Sequence, residues 1–210
     1  MENTVSFRDF EERDIDFVYK CKNDAKLNSM IVGDYHPFTY EEATKWVHGC
    51  QGEHETYKFW AVCTNDEERR IIGWVSLSHI DKVNSSAQSH GILIADPEFR
   101  DGSAYRESSL FVNNYVFHDL KLNRLTGSCL KEHILSRAKM EADYWTLEGI
   151  ERESIFKNGQ YHDVYHYAIL RREYLHYIES GEADLQLFIR RLGKILKRIK
   201  QEIKKEINIL

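Results

Sequence analysis

The sequence predicts an α/β (α+β) protein: a mixed, mostly antiparallel central sheet flanked by helices, with a long amphipathic helix at the C-terminus. Three observations predict it. Runs with the two-residue period of strands are interspersed with runs at the helical period. An Asn158-Gly159 pair sits between two strand-like segments. Residues 185–210 place isoleucines and leucines on one face and lysines and arginines on the other.

Taken in order, residues 4–10 (TVSFRDF) alternate as a first strand, and Asp14 precedes Ile15, Val18 and Tyr19 at helical spacing. Thr39 with Glu42 three residues on forms a capping box, and Ala43, Trp46, Val47 and Cys50 follow as an i, i+3, i+4, i+7 stripe. Residues 57–63 and 71–80 read as a hairpin across the polar turn Thr64-Asn65-Asp66-Glu67. After the polar loop at 84–86, residues 90–95 make a short strand that stops at Asp96-Pro97, because proline has no N–H for the ladder. The small-residue loop 100–104 then leads to a helix over 107–120, a strand over 124–130 and a helix over 133–145. Strands over 148–156 and 161–169 flank Asn158-Gly159, whose residues tolerate the positive φ of a type I′ turn. The terminal helix, with Leu185, Ile189, Leu192, Ile195, Leu196, Ile199, Ile203 and Ile207 on its apolar face, is expected to lie outside the compact core.

Composition narrows the function classes. At 210 residues, with 42% apolar residues and two prolines, the chain can bury a core of its own. No run reaches about 18 consecutive apolar residues and the N-terminus is acidic, which predicts a cytoplasmic protein. Cys21, Cys50, Cys63 and Cys129 are scattered without a CxxC pair, the pattern of buried reduced thiols. Residues 190–206 hold eight Lys/Arg against two Glu, while the rest of the chain is acidic, so a broad nucleic-acid-binding face is not expected.

The stretch PEFRDGSAYRESSLFVNNYVFHDLKLNRL, followed by EGIERESIFKNGQYHDVYHYAIL, resembles the GNAT (GCN5-related N-acetyltransferase) superfamily, in the branch of ribosomal-protein and nucleotide-sugar amine acetyltransferases. Arg100 and Glu107 match positions bracketing the family's pyrophosphate loop. Phe117, Leu120, Leu122, Asn123 and Arg124 match the following helix end and strand, and Glu148-Gly149 and Asn158-Gly159 match the C-terminal hairpin. The resemblance implies a GNAT acetyltransferase domain over 1–178 with a basic amphipathic helix over 179–210, and acetyl-CoA as co-substrate. It implies cofactor contacts from Ile92, Leu93, Ile94, Arg100, Asp101, Gly102, Ser103, Ala104, Tyr105 and Arg106. His133 stands where the family often has an asparagine. The family's loop reads R-x-x-G-x-G/A; without a gap its glycine positions fall on Ser103 and Tyr105, and a one-residue slide brings in Gly102. The physics of such a loop is independent of the name: a strand opening a helix presents unpaired N–H groups and the helix dipole to phosphates.

Amine acetylation needs a base for the ammonium and a proton for the leaving thiolate. His79, expected on one face with Val75 and Leu77, and His90, with Ile92 and Ile94, are candidate bases, since an imidazole titrates near neutrality. Tyr144 is a candidate proton donor, and ordinary structural roles remain open for all three. The loop 31–39 and the helix after it would shape the acceptor site, with Tyr35, His36 and Phe38 suited to stack on a ring or sugar. His162 and His166 have an i, i+4 spacing that gathers metal ligands on a helix but not on a strand, so no metal site is expected.

The expected function is acetyl transfer to a primary amine, preferably an amino sugar on a nucleotide in surface-polysaccharide biosynthesis. The alternatives are a non-catalytic GNAT-fold scaffold and a protein N-terminal acetyltransferase. The terminal helix offers a homodimer contact, peripheral contact with an anionic membrane surface, or packing on its own core.

Overall fold

The computed structural model describes residues 3–33 and 35–207; residues 208–210 of the expected terminal helix fall outside them. The described chain forms two compact units, 1–125 and 126–210.

In the first unit, β1 (Val5–Arg8), β2 (Lys58–Thr64), β3 (Ile71–Asp81) and β4 (Ser86–Ile94) pair antiparallel in that order. The chain reaches β2 through α1 (Ile15–Lys22), α2 (Ala25–Asn28) and α3 (Tyr40–Cys50). The Thr39 capping box is present: Glu42 N–H donates to Thr39 Oγ1 at 3.2 Å and Thr39 N–H to Glu42 Oε2 at 2.7 Å. This satisfies two donors that the helix cannot pair internally. Ala43, Val47 and Cys50 are buried against Val18, Ala61 and Cys63, so the apolar stripe of α3 closes the core over β2. The start of α1 is fastened by Arg8, whose guanidinium grips the buried Asp14 carboxylate at 2.6 and 2.8 Å. Each such bidentate contact also fixes geometry.

Two boundaries differ from the sequence expectation. β4 begins at Ser86, four residues before His90, because Ser86, Gln88 and Ser89 pair with β3 although this stretch lacks the apolar alternation of a half-buried strand. α4 (Ser103–Asn114) begins at Ser103 and not Glu107. Its first turn is short of large apolar residues, yet Ser103, Ala104 and Arg106 are all buried. Gly102 precedes it at φ +108°, a left-handed conformation that favours glycine. Past Asn114 the helix widens to one turn of i→i+5 bonding over Tyr115–Asp119, closed by Leu120 N–H to Tyr115 O at 2.9 Å.

β5 (Arg124–Leu130) leads into the second unit, where the strand order is β5, β7 (Gln160–Leu170), β6 (Thr146–Lys157). α5 (Ile134–Ala142) is shorter than expected, ending as Tyr144 takes φ +64°. β6 and β7 form the expected hairpin, with Asn158 at φ +52° and Gly159 at +80°. A helix not read from the sequence, α6 (Arg171–Glu179), follows β7 directly and buries Tyr174 and Tyr177.

α7 (Leu185–Ile207) corrects one expectation: it packs against α5, with Phe188 and Ile199 fully buried, and so belongs to the core of its unit. Arg191 holds it there, donating to Ala142 O at 3.0 Å, Glu182 Oε2 at 2.9 Å and the Tyr177 hydroxyl at 3.0 Å. No described helix is long and apolar enough to cross a membrane.

Candidate active site

The two histidines singled out from the sequence meet. Their ring centroids lie 6.2 Å apart, and the Ser78 hydroxyl bridges them, 2.7 Å from His79 Nδ1 and in a short contact with His90 Nε2. Strict alternation would not give this arrangement. Between Val75↔Ile92 and Leu77↔Ser89 the ladder gains a residue on β4, at His90-Gly91; between Ser78↔Gln88 and Asp81↔Ser86 it gains one on β3. Each bulge re-aims the side chain beside it. His79 takes φ +49° and is exposed, whereas Val75 and Leu77 are fully buried, so the expected shared face ends at Ser78.

One hydroxyl between two neutral imidazoles can donate to one ring and accept from the other, so the trio is one connected hydrogen-bond chain. Crowding by neighbouring atoms, followed by the charge of His79, lowers the pKa of His90 below the ordinary histidine value. Its imidazole is thereby neutral, and able to take a proton, at neutral pH. Ser78 was not found from the sequence; its signal was adjacency to His79, which strand alternation places on opposite faces.

The candidate cofactor residues occupy β4 and the start of α4. Ile92, Leu93 and Ile94 pair with Val75, Trp74 and Gly73 and are half-buried. The Arg100 guanidinium turns back onto the strand end, donating to Ile94 O at 3.0 Å and Ala95 O at 2.6 Å. Ser103, Ala104 and Tyr105 are the first residues of α4. Asp101 already holds one of them: its Oδ1 accepts from Ser103 N–H at 2.9 Å and from the Ser103 hydroxyl at 2.7 Å. These two hydrogen bonds lower its pKa and keep it ionised. Arg106 is buried in the same turn, and Glu107 turns away to accept from Thr4 and Val5 N–H groups at 2.9 and 3.0 Å.

The remaining candidates have their own partners. His133 is the N-cap of α5, its Nδ1 accepting from Ser136 N–H at 3.3 Å; burial lowers its pKa, so it caps as a neutral ring. The Tyr144 hydroxyl donates to the Glu182 carboxylate, which raises its pKa, and its ring lies 4.8 Å from the Arg191 guanidinium and 4.9 Å from Tyr177. In the loop after α2, the exposed His36 stacks on Phe38 at 5.5 Å, Tyr35 is half-buried, and Asn23 Nδ2 donates to Phe38 O at 3.0 Å. Phe38 also borders a group the sequence reading did not identify: the Lys22 ammonium, 5.2 Å from the Phe38 centroid, 4.7 Å from Trp46 and 5.6 Å from Trp74. The four cysteines are free and buried; burial pushes Cys21, Cys50 and Cys129 up to about 12 and Cys63 to about 11, so none is a nucleophile near neutrality. No cluster of metal-ligating side chains occurs among the described residues.

Comparison with known proteins identifies the family of the chain. Residues 4–142 match the acetyltransferase (GNAT) domain family. The putative ribosomal N-acetyltransferase YdaF of Bacillus subtilis (strain 168) is 32% identical over 104 residues, which span 50% of this chain and 56% of YdaF. The uncharacterized N-acetyltransferase YnaD of the same organism is 26% identical over 167 residues, 80% of this chain and 94% of YnaD. Among solved structures, a spermidine N-acetyltransferase from Vibrio cholerae in complex with CoA and spermine superposes with a TM-score of 0.72. It is 23% identical, over 82% of this chain and 98% of that one, and establishes a shared fold.

Proposed function

We propose, from the premise that this chain belongs to the acetyltransferase (GNAT) family and is an acetyl-CoA-dependent N-acetyltransferase, that its acceptor is the amine of a nucleotide-linked amino sugar. The observation that carries the acceptor class is the loop after α2, where the exposed His36, stacked on the half-buried Phe38, offers an aromatic surface to a ring. In the proposed reaction the acceptor ammonium gives a proton to the His79–Ser78–His90 path. The neutral amine then attacks the thioester carbonyl carbon, the C–S bond breaks, and the thiolate is protonated as the amide forms. Ile92 to Ile94 and the first turn of α4 are the proposed contacts for acetyl-CoA, with Gly102 as the residue that lets the chain turn into the helix.

A second reading has a specific observation behind it. Residues 1–125 carry 21 Asp/Glu against 14 Lys/Arg, a field that draws cations, and the Vibrio cholerae neighbour is a spermidine N-acetyltransferase. Acetylation rates with a uridine-diphosphate amino sugar, spermidine and an N-terminal peptide separate the readings. The proposal expects the sugar to exceed the others in kcat/KM by about tenfold or more, a difference of about 1.4 kcal/mol. Faster turnover of spermidine overturns it. Calorimetry with acetyl-CoA tests the scaffold alternative: micromolar binding that is lost in Ser103→Glu supports the enzyme, and no heat supports a scaffold.

For α7, which packs on α5 but leaves Ile189 exposed and most of its apolar line half-buried, the exposed basic side chains are the proposed contact with an anionic membrane surface. A protein that stays unbound in a vesicle flotation assay overturns this.

A further inference from the structure

Lys22 has an environment that the acetyl-transfer reading does not use. Its ammonium has three hydrogen-bond donors, and among the described residues no oxygen or nitrogen accepts from it and no carboxylate pairs with it. Three aromatic faces surround it instead, and it is only half exposed to water. The acids among the described residues of the neighbouring segments are committed elsewhere. Asp16 accepts from the Tyr40 hydroxyl, Asp24 caps α2, Glu42 closes the Thr39 box, Glu41 pairs with Lys45, Glu12 with His48, and Asp14 with Arg8. The titratable groups that do face Lys22 are the Cys21 and Cys50 thiols, protonated and uncharged. A desolvated cation without a counter-charge is an energetic liability unless a ligand supplies one. The rings offset part of that cost through their quadrupoles but leave the N–H donors open.

We propose that the Lys22 ammonium, framed by Phe38, Trp46 and Trp74, is an anchor for an anionic group on the acceptor, a phosphate or a carboxylate. The site lies on the same Phe38 whose other neighbour is His36, so one aromatic wall serves the ring of the ligand and its charge. That the ligand is the acceptor rests on the acetyl-transfer reading; the anion site itself does not.

The test uses the full chain saturated with CoA, so that phosphate contacts of the co-substrate are already filled. Calorimetry with inorganic pyrophosphate and, separately, with glutarate shows which anion binds: pyrophosphate favours a nucleotide-linked acceptor, glutarate a carboxylate-bearing one. Lys22→Met, which fills the cage with an apolar chain of similar length, is expected to weaken the bound probe about 10- to 100-fold, the range of one charge-assisted hydrogen bond, while Lys22→Arg retains it. In turnover, Lys22→Met should raise KM for the acceptor and leave KM for acetyl-CoA and kcat within about threefold. The proposal is overturned if neither probe binds the wild type, if Lys22→Met binds as tightly as wild type, or if its loss falls on acetyl-CoA instead. Anion binding in a protein that acetylates no amine would sink the enzyme reading and keep the site.

Discussion

Two histidine pairs in this molecule invite comparison. His79 and His90 are eleven residues apart on different strands, yet they share Ser78 and stack at 6.2 Å. His162 and His166 are four apart on β7, and each goes its own way: His162 faces Glu132 at 3.3 Å and bonds to Lys157 O at 3.1 Å, while His166 faces Glu151 at 3.3 Å. Proximity in sequence decided neither case. A strand sends residues i and i+4 to the same face but about 13 Å apart, whereas two bulges on facing strands turned a cross-strand pair into one connected group.

That contrast breaks most visibly at His90. His90→Ala is expected to lower kcat about 10²- to 10⁴-fold, the usual contribution of a general base, while His166→Ala stays within about twofold in the same steady-state assay. Comparable losses from both variants would erase the distinction. Ser78→Ala, which cuts the path but leaves both rings, is expected to cost about tenfold in kcat/KM with an altered pH profile. A smaller and more diagnostic effect belongs to His79→Gln. Because His90 has a lowered pKa, the acid limb of the rate should lie below the ordinary histidine value of about 6.5; His90 is charged and inactive under that limb and neutral above it. Removing the His79 charge should move the limb upward, toward 6.5. A limb that stays in place would show that His79 and His90 are not coupled. The smallest effect is structural: His162→Gln removes a contact to a half-exposed glutamate and should change unfolding free energy by about 0–1 kcal/mol, measured by denaturant titration.

The same contrast explains how much the sequence disclosed. Elements built by periodicity and caps were legible: the Thr39–Glu42 box, the stripe on α3, and the Asn158-Gly159 hairpin all follow from contacts within a few residues. The helix at 103–114 was visible but misplaced, because its first turn is written in serine and alanine, whose burial depends on what packs there rather than on apolar spacing. In the site, His79 and His90 were identifiable by residue type, whereas Ser78 and the Lys22 cage were not. A bulge has no fixed sequence signature, and the cage draws on α1, α3, β3 and the intervening loop, residues as far apart as 22 and 74. The covered face of α7 was hidden for a related reason: an amphipathic helix states that it needs a partner, not whether the partner is its own α5.

Asp101 carries a kinetic implication. If the diphosphate of acetyl-CoA settles at the start of α4, as proposed above, the Asp101 carboxylate resting on Ser103 is a negative charge already in place, and each arrival of the co-substrate would exchange one anion for another. Such a pocket trades residence time for turnover. CoA should leave it quickly, and Asp101→Asn, which removes the competing charge, should lengthen the dwell of CoA in a stopped-flow displacement experiment even as it slows the cycle.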